Sequence, residues 1–178
     1  MREIQFVLKP EDYKDFGHYR ILYTDQGHKM VLRHRLTFIV SGVVVAILFT
    51  LFHVDSAFTK LAYVVSAALV LVGIIFSEKM VLSQQDKAIE AGSADIERVH
   101  PTTNKICFND EGFDTYAGSD EQHFKYSDIK LVDLTEKAIY VWMSDTMIMP
   151  VPLHAFRNMD EMKEFCKWLR SMTGDEKK

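Results

Sequence analysis

The apolar positions of this chain change period at least four times. Near the start, Ile4, Phe6 and Leu8 alternate with Glu3, Gln5 and Val7, the two-residue period of a strand. Pro10 then opens "PEDYKDFGHYRILY", with Glu11 and Asp12 in the first turn, where the positive end of a helix dipole favours acids. Tyr13, Phe16, Tyr19 and Tyr23 recur on one face of that helix. Such a stripe fits either a membrane interface or the surface of a cytoplasmic domain. Gly27 is expected to end the helix. From residue 36 the periodicity disappears: "LTFIVSGVVVAILFTLFHVDSAFTKLAYVVSAALVLVGIIF" carries only Asp55 and Lys60 as formal charges.

Residues 36–54 and 61–77 are free of charge, and at about 1.5 Å rise per residue each extends roughly 26–28 Å, against ~30 Å of bilayer hydrocarbon. The second run continues through Met80, Val81 and Leu82 once Glu78 and Lys79 snorkel to the headgroups, so the predicted helices are 36–54 and 61–82. A hairpin buried in a soluble protein would be equally apolar all round, but the rest of this chain is too short to wrap one. The two runs are therefore read as membrane crossings, joined by "DSAFTK" at 55–60. Arg33 and Arg35 precede the first crossing and Lys79 follows the second, a basic bias that places both termini in the cytoplasm of a cell membrane. Gly42 and Ala46, Ala62 and Ser66, and then Gly73 are small residues at helix-packing spacing, for contact within the hairpin or in a homodimer. Neither crossing holds the Asp, Glu, Lys or Arg that marks an ion route, and His53 falls at the outer end.

Beyond the second run, "SEKMVLSQQDKAIEAG" continues as a helix expected to stop near Gly92. From Lys105 the period is two again. Ile106 and Phe108 precede the turn Asn109-Asp110-Glu111-Gly112, and Phe113 and Tyr116 follow it, the signature of a hairpin. "HFKYSDIKLVDLTE" adds two short strands, and "AIYVWM" and "MIMPVP" flank the three-residue connection Ser144-Asp145-Thr146. The chain closes on a helix with Asn158 as N-cap, Glu161 three residues on, and an apolar stripe of Met159, Met162, Phe165, Cys166 and Leu169 before Gly174. The tail thus reads as six or seven antiparallel strands capped by one helix. The whole is an α+β chain in three parts: a strand and amphipathic helix at 1–35, a transmembrane hairpin at 36–82, and a cytoplasmic domain at 83–178.

Charge sharpens this division. The overall 48% hydrophobic and 26% charged residues conceal a weakly basic start, a neutral hairpin and an acidic tail, within a net charge of −4. An acidic domain suits neither nucleic acid nor an anionic lipid surface. Cys107 and Cys166 belong to no CxxC or Cys/His spacing and read as free thiols in a reducing compartment. "MREIQFVLKPEDY" has neither the apolar core nor the small-residue cleavage site expected of a secretory signal.

The stretches "IQFVLKPEDYKDF", "FKYSDIKLVDLTEKAIYVWMS" and "MIMPVPLHAF", arranged around a transmembrane hairpin, resemble the bacterial YcxB-like membrane proteins. The likeness is most specific at Tyr126-Ser127-Asp128-Ile129 and Pro152-Leu153-His154-Ala155-Phe156. It implies a C-terminal domain of the pleckstrin-homology type, an antiparallel sheet or barrel closed by one helix. It brings no catalytic residue.

Candidate chemistry is sparse. A pleckstrin-type phosphoinositide site needs Lys and Arg about the first hairpin, whereas Asp110, Glu111 and Asp114 there repel phosphate. Those acids also lack the oxygen-ligand spacing of a calcium loop. The 7 histidines form no HxxxH or HExxH, and no Gly-rich phosphate loop or nucleophile elbow occurs, so no catalytic, cofactor or metal residue is assigned. One anomaly remains in the Ala138–Pro152 hairpin. Ile139, Val141 and Met143 lie on one face, Tyr140 and Trp142 on the other, and both faces are apolar. Either the N-terminal strand and helix or the juxtamembrane helix covers Tyr140 and Trp142, or these two form a surface for a protein partner. The expected function is a non-enzymatic, membrane-tethered interaction or sensing module. The alternative is an enzyme, or an accessory subunit of one, acting near the membrane.

Overall fold

The computed structural model describes residues 2–51, 56–96, 103–118 and 120–173. In chain order these form β1 (Arg2–Val7), α1 (Pro10–Tyr23), α2 (Asp25–Leu51), α3 (Ser56–Ile96), β2 (Thr103–Phe108), β3 (Gly112–Ala117), β4 (Asp120–Lys125), β5 (Leu131–Leu134), β6 (Ala138–Trp142), β7 (Ile148–Pro152) and α4 (Met159–Thr173). Short 3-10 turns at Tyr126–Asp128 and Leu153–Ala155 precede β5 and α4. Contacts divide the chain into two compact units, residues 1–16 with 91–178, and residues 17–90.

In the first unit, a four-stranded antiparallel sheet runs β1-β2-β3-β4 and a three-stranded one runs β5-β6-β7. The N-terminal strand does not belong to a separate 1–35 segment, as its position in the chain suggested. It pairs with β2 along its whole length, Arg2 opposite Phe108 and Val7 opposite Thr103. The tail therefore supplies six strands and the N-terminus the seventh. The physical reason is burial: Ile4 and Phe6 point into the core, and unpaired β2 would otherwise leave an open edge. Asn109 closes the β2–β3 turn by accepting the Glu111 and Gly112 N–H groups at 2.9 and 2.8 Å. Ser144 shapes the β6–β7 connection, accepting the Met147 N–H at 3.0 Å.

α4 covers the core with Met162, Phe165, Cys166 and Leu169. Its start is capped as the sequence indicates: the Asn158 side chain accepts the Glu161 N–H at 2.9 Å, while Glu161 reaches back to the Arg157 N–H at 2.7 Å. Near its end, Arg170 donates from Nε and Nη2 to the Val132 carbonyl, fastening the helix to β5.

In the second unit, the helix break falls at Thr24 rather than Gly27. The Thr24 hydroxyl accepts the Gly27 N–H at 3.0 Å and caps α2, so Gly27 lies inside the new helix's first turn. α2 consequently starts ahead of the predicted residue 36. α3 begins at Ser56, inside the connection expected at 55–60, and runs through Gly92 to Ile96. His53, Val54, Asp55, His100 and Gly174 lie outside the described residues. Both helices are long and apolar enough to cross a membrane, and only 6% and 22% of their most apolar windows is buried by the protein itself.

Candidate binding cleft

Cross-strand partners in an antiparallel sheet share a face, which arranges the inner side of β1–β4 into rows. Phe108, Phe113 and Phe124 make the first. Phe165 and Trp168 of α4 seal it, with ring centroids 5.2 and 5.3 Å from Phe108, and the Arg2 guanidinium lies 4.9 Å over Trp168. Ile4, Ile106, Thr115 and Gln122 make the second row, and Phe6, Asn104, Ala117 and Asp120 the third. Away from α4 the row members become smaller and more polar, so the core tapers.

Opposite the tapering rows stands the β6–β7 hairpin, which brings Met143, Met147, Ile148, Met149 and Pro150. Between them remains a cleft of about 250 Å³. Its walls are apolar, from Phe6, Leu8, Ile106, Phe124 and the three methionines, with Asn104, Thr115 and Gln122 as the polar groups on the sheet side. Met147 stands at 46% exposure. Unbranched, polarizable methionine adapts to varied apolar shapes. Lys105 and Tyr116, which also line the cleft, are each paired with an acid. Tyr116, hydrogen-bonded to its cross-strand partner Glu121, has its phenol pushed up to about 12. Lys105 donates to Glu3 at 3.1 Å, which raises its pKa. The local sequence marked one side of this cleft at most, because its lining comes from five strands and the β6–β7 connection and depends on how they pair. The run Met143, Met147 and Met149 about one turn was the available signal.

The second face of the β6 hairpin is covered from within. Tyr140 is only 2% exposed and stacks on Phe16 of α1, ring centroids 6.1 Å apart. Lys137 pairs with Asp15 at 2.5 Å, and His154 stands 3.6 Å from Asp12 while its Nε2 lies 3.1 Å from the Val7 carbonyl. Tyr140 is thus unavailable as a partner surface, and Trp142 is half-buried. Phe16 belongs to the domain side of the aromatic stripe, whereas Tyr19 and Tyr23 stack on each other at 5.0 Å.

Burial, with Asp15, Asp12 and Asp133 adding to it, pushes the Tyr140 phenol far above its usual range. Its folded pKa is raised, so its stabilising contribution is complete below the unfolded value of about 10 and is lost as pH climbs from there towards the folded value. Tyr140→Phe is expected to abolish that alkaline loss, about 1.4 kcal/mol one pH unit above the unfolded value. Urea unfolding of both proteins at several alkaline pH values measures it; identical slopes would show that the phenol stays un-ionised in neither state alone.

The small residues of the hairpin lie at the α2–α3 contact. A Cβ on Gly42 would come within 2.9 Å of the Ser66 carbonyl and of Val70, and one on Gly73 would overlap the Phe38 side chain. Ala62 and Ser66 are buried and Ala46 half-buried. Further along, Thr50 and Tyr63 share a 2.9 Å hydrogen bond. This register carries Arg35 to the level of Glu78. Arg33 and Lys79 are exposed, and Arg35 is partly buried, with its Nε buried and without a partner. Among the described residues no three His, Cys, Asp or Glu side chains gather as a metal site. Burial raises the Cys166 thiol, and both cysteines are free.

Fold and surface together define an α+β protein in which two long apolar helices are followed by antiparallel sheets and a final helix. Residues 108–169, from the end of β2 into α4, match the family model described as YcxB-like protein, so this stretch is similar to that family. No curated protein and no solved structure matches it.

Proposed function

We propose that this is an integral membrane protein displaying a non-enzymatic interaction or sensing module of pleckstrin-homology type in the cytoplasm. The observation that carries the reading is the pairing of β1 with β2. The chain leaves the sheet after Val7 and re-enters it at the cross-strand partner Thr103, with both apolar helices in the intervening sequence. Two strands of one sheet occupy one side of any bilayer, so the inserted segment crosses it an even number of times. Arg33, Arg35 and Lys79 favour the cytoplasm as that side.

Tethering raises the module's encounters with other membrane-bound proteins. The partner offers one apolar side chain to the cleft, whose 250 Å³ suits a single large group rather than an extended segment. The neighbouring edge strand β4, "DEQHFK", is charged, a pattern that discourages strand addition. Reporter fusions at both ends test the topology: both are expected to report cytoplasm, and signals from opposite sides would refute it. A photo-crosslinker at Met147 is expected to capture one defined protein, and Ala117→Phe, which fills the cleft, to reduce the yield at least tenfold. Equal capture from exposed Leu131 would remove the cleft from the proposal.

A further inference from the structure

A second cavity, also of about 250 Å³, lies within the helical unit, where the end of α1 meets α2 and α3. Arg35 and Glu78 line it together with His28, and Val31 and Leu32 provide apolar wall. Arg35 directly precedes the apolar run of α2, and Glu78 directly follows that of α3. Opposite charges on one wall usually neutralise each other. Here neither side chain has an ion pair among the described residues, and the Arg35 Nε is buried with no hydrogen-bond partner. His28 is already engaged with the Leu22 carbonyl at 2.7 Å.

A buried guanidinium nitrogen without an acceptor is costly, and Glu78, exposed on the wall of the same cavity, presents a carboxylate to any donor that enters. We propose that the cavity binds the headgroup of a phosphoethanolamine lipid, the phosphate on Arg35 and the primary ammonium on Glu78. Guanidinium recognises phosphate through directed, charge-assisted hydrogen bonds. The ammonium supplies the N–H donors that a trimethylated choline lacks, and an anionic glycerol headgroup leaves Glu78 facing negative charge. The volume holds roughly eight water-sized groups, the size of a phosphoethanolamine head. The acyl chains then run beside Leu36 and Val40, which the protein leaves exposed. The inference rests on the membrane reading of the two helices.

The test uses the full chain in lipid nanodiscs containing equal phosphatidylethanolamine, phosphatidylcholine and phosphatidylglycerol, followed by native mass spectrometry of retained lipid. Wild type is expected to keep the ethanolamine lipid at least tenfold over the other two. Glu78→Gln is expected to bring the ethanolamine-to-choline ratio close to one, and Arg35→Gln to lower retention of all three about tenfold, while Arg35→Lys keeps the ethanolamine preference in weaker form. Retention of the three lipids alike by wild type, or an unchanged preference in Glu78→Gln, would overturn the headgroup site while leaving the membrane reading intact. Displacement of the lipid by an equimolar amount of soluble glycerophosphoethanolamine would overturn the lipid as its source. Failure of the chain to enter nanodiscs, with a monodisperse protein in detergent-free buffer, would overturn both.

Discussion

A chain in which residues 17–90 are replaced by a Gly/Ser linker is expected to fold and to remain monomeric in buffer without detergent, whereas the same chain lacking residues 1–8 is expected to lose its cooperative transition. The first half follows from where the core lies. Its buried residues, from Ile4 to Leu169, all belong to residues 1–16 and 91–178, as does the Phe16–Tyr140 stack. A flexible linker of about a dozen residues spans ~20 Å on average, and doubling its length adds only about 0.6 kcal/mol of closure cost. The second half follows from β1. Deleting it removes buried Ile4 and Phe6 and opens the edge of β2. Truncating such side chains costs about 2–5 kcal/mol each, against a total stability of roughly 5–15 kcal/mol. Urea titration followed by tryptophan fluorescence reads both outcomes, since Trp168 packs on Phe108 of β2. A deletion variant that unfolds at the same urea concentration as its parent would show that β1 is dispensable and would remove the topological support for an even number of crossings.

The strand nature of Arg2–Val7 was legible in the alternation of Ile4, Phe6 and Leu8, but its partner was not. The pairing bridges the entire hairpin, and local periodicity carries no information about which distant strand a given strand joins. The apolar helices were legible from composition because lipid-length runs leave little ambiguity. Their ends were not: Thr24 outcompeted Gly27 as the break because a capping hydroxyl satisfies a helix's first free N–H, whereas glycine only permits a turn. The double-apolar hairpin around Tyr140 correctly signalled that something had to cover it, and Phe16 does so. The Met-lined cleft and the Arg35–Glu78 cavity were invisible for one shared reason. Each assembles side chains from several elements, and only the strand register or the helix register brings them together.

That helix register is itself open to a decisive perturbation. The double substitution Gly42→Leu with Gly73→Leu is expected to unpack α2 from α3. At residue 42 a side chain meets the Ser66 backbone carbonyl, which cannot rotate away, and at residue 73 it overlaps Phe38 from its first carbon. Overpacking a tight contact costs about 1–3 kcal/mol per site, and because both sites press on the same α2–α3 contact the combined penalty is less than the sum. Helices in lipid gain little from excluding water, so close backbone approach is most of what holds them. A loss of even ~2–3 kcal/mol exceeds the roughly 0.5–1.5 kcal/mol that the Thr50–Tyr63 hydrogen bond contributes. Cysteines introduced at Thr50 and Tyr63 and joined by a bifunctional thiol reagent of about 10 Å reach report the separation: in otherwise native protein they are expected to crosslink readily, and in the double-leucine background at least tenfold more slowly. Because the same contacts bring Arg35 level with Glu78, the double variant is also expected to lose any lipid selectivity while remaining in the bilayer. Selectivity that survived unpacking would mean the two charges act independently of the helix contact, and undiminished crosslinking would mean the glycines are not what sets the register.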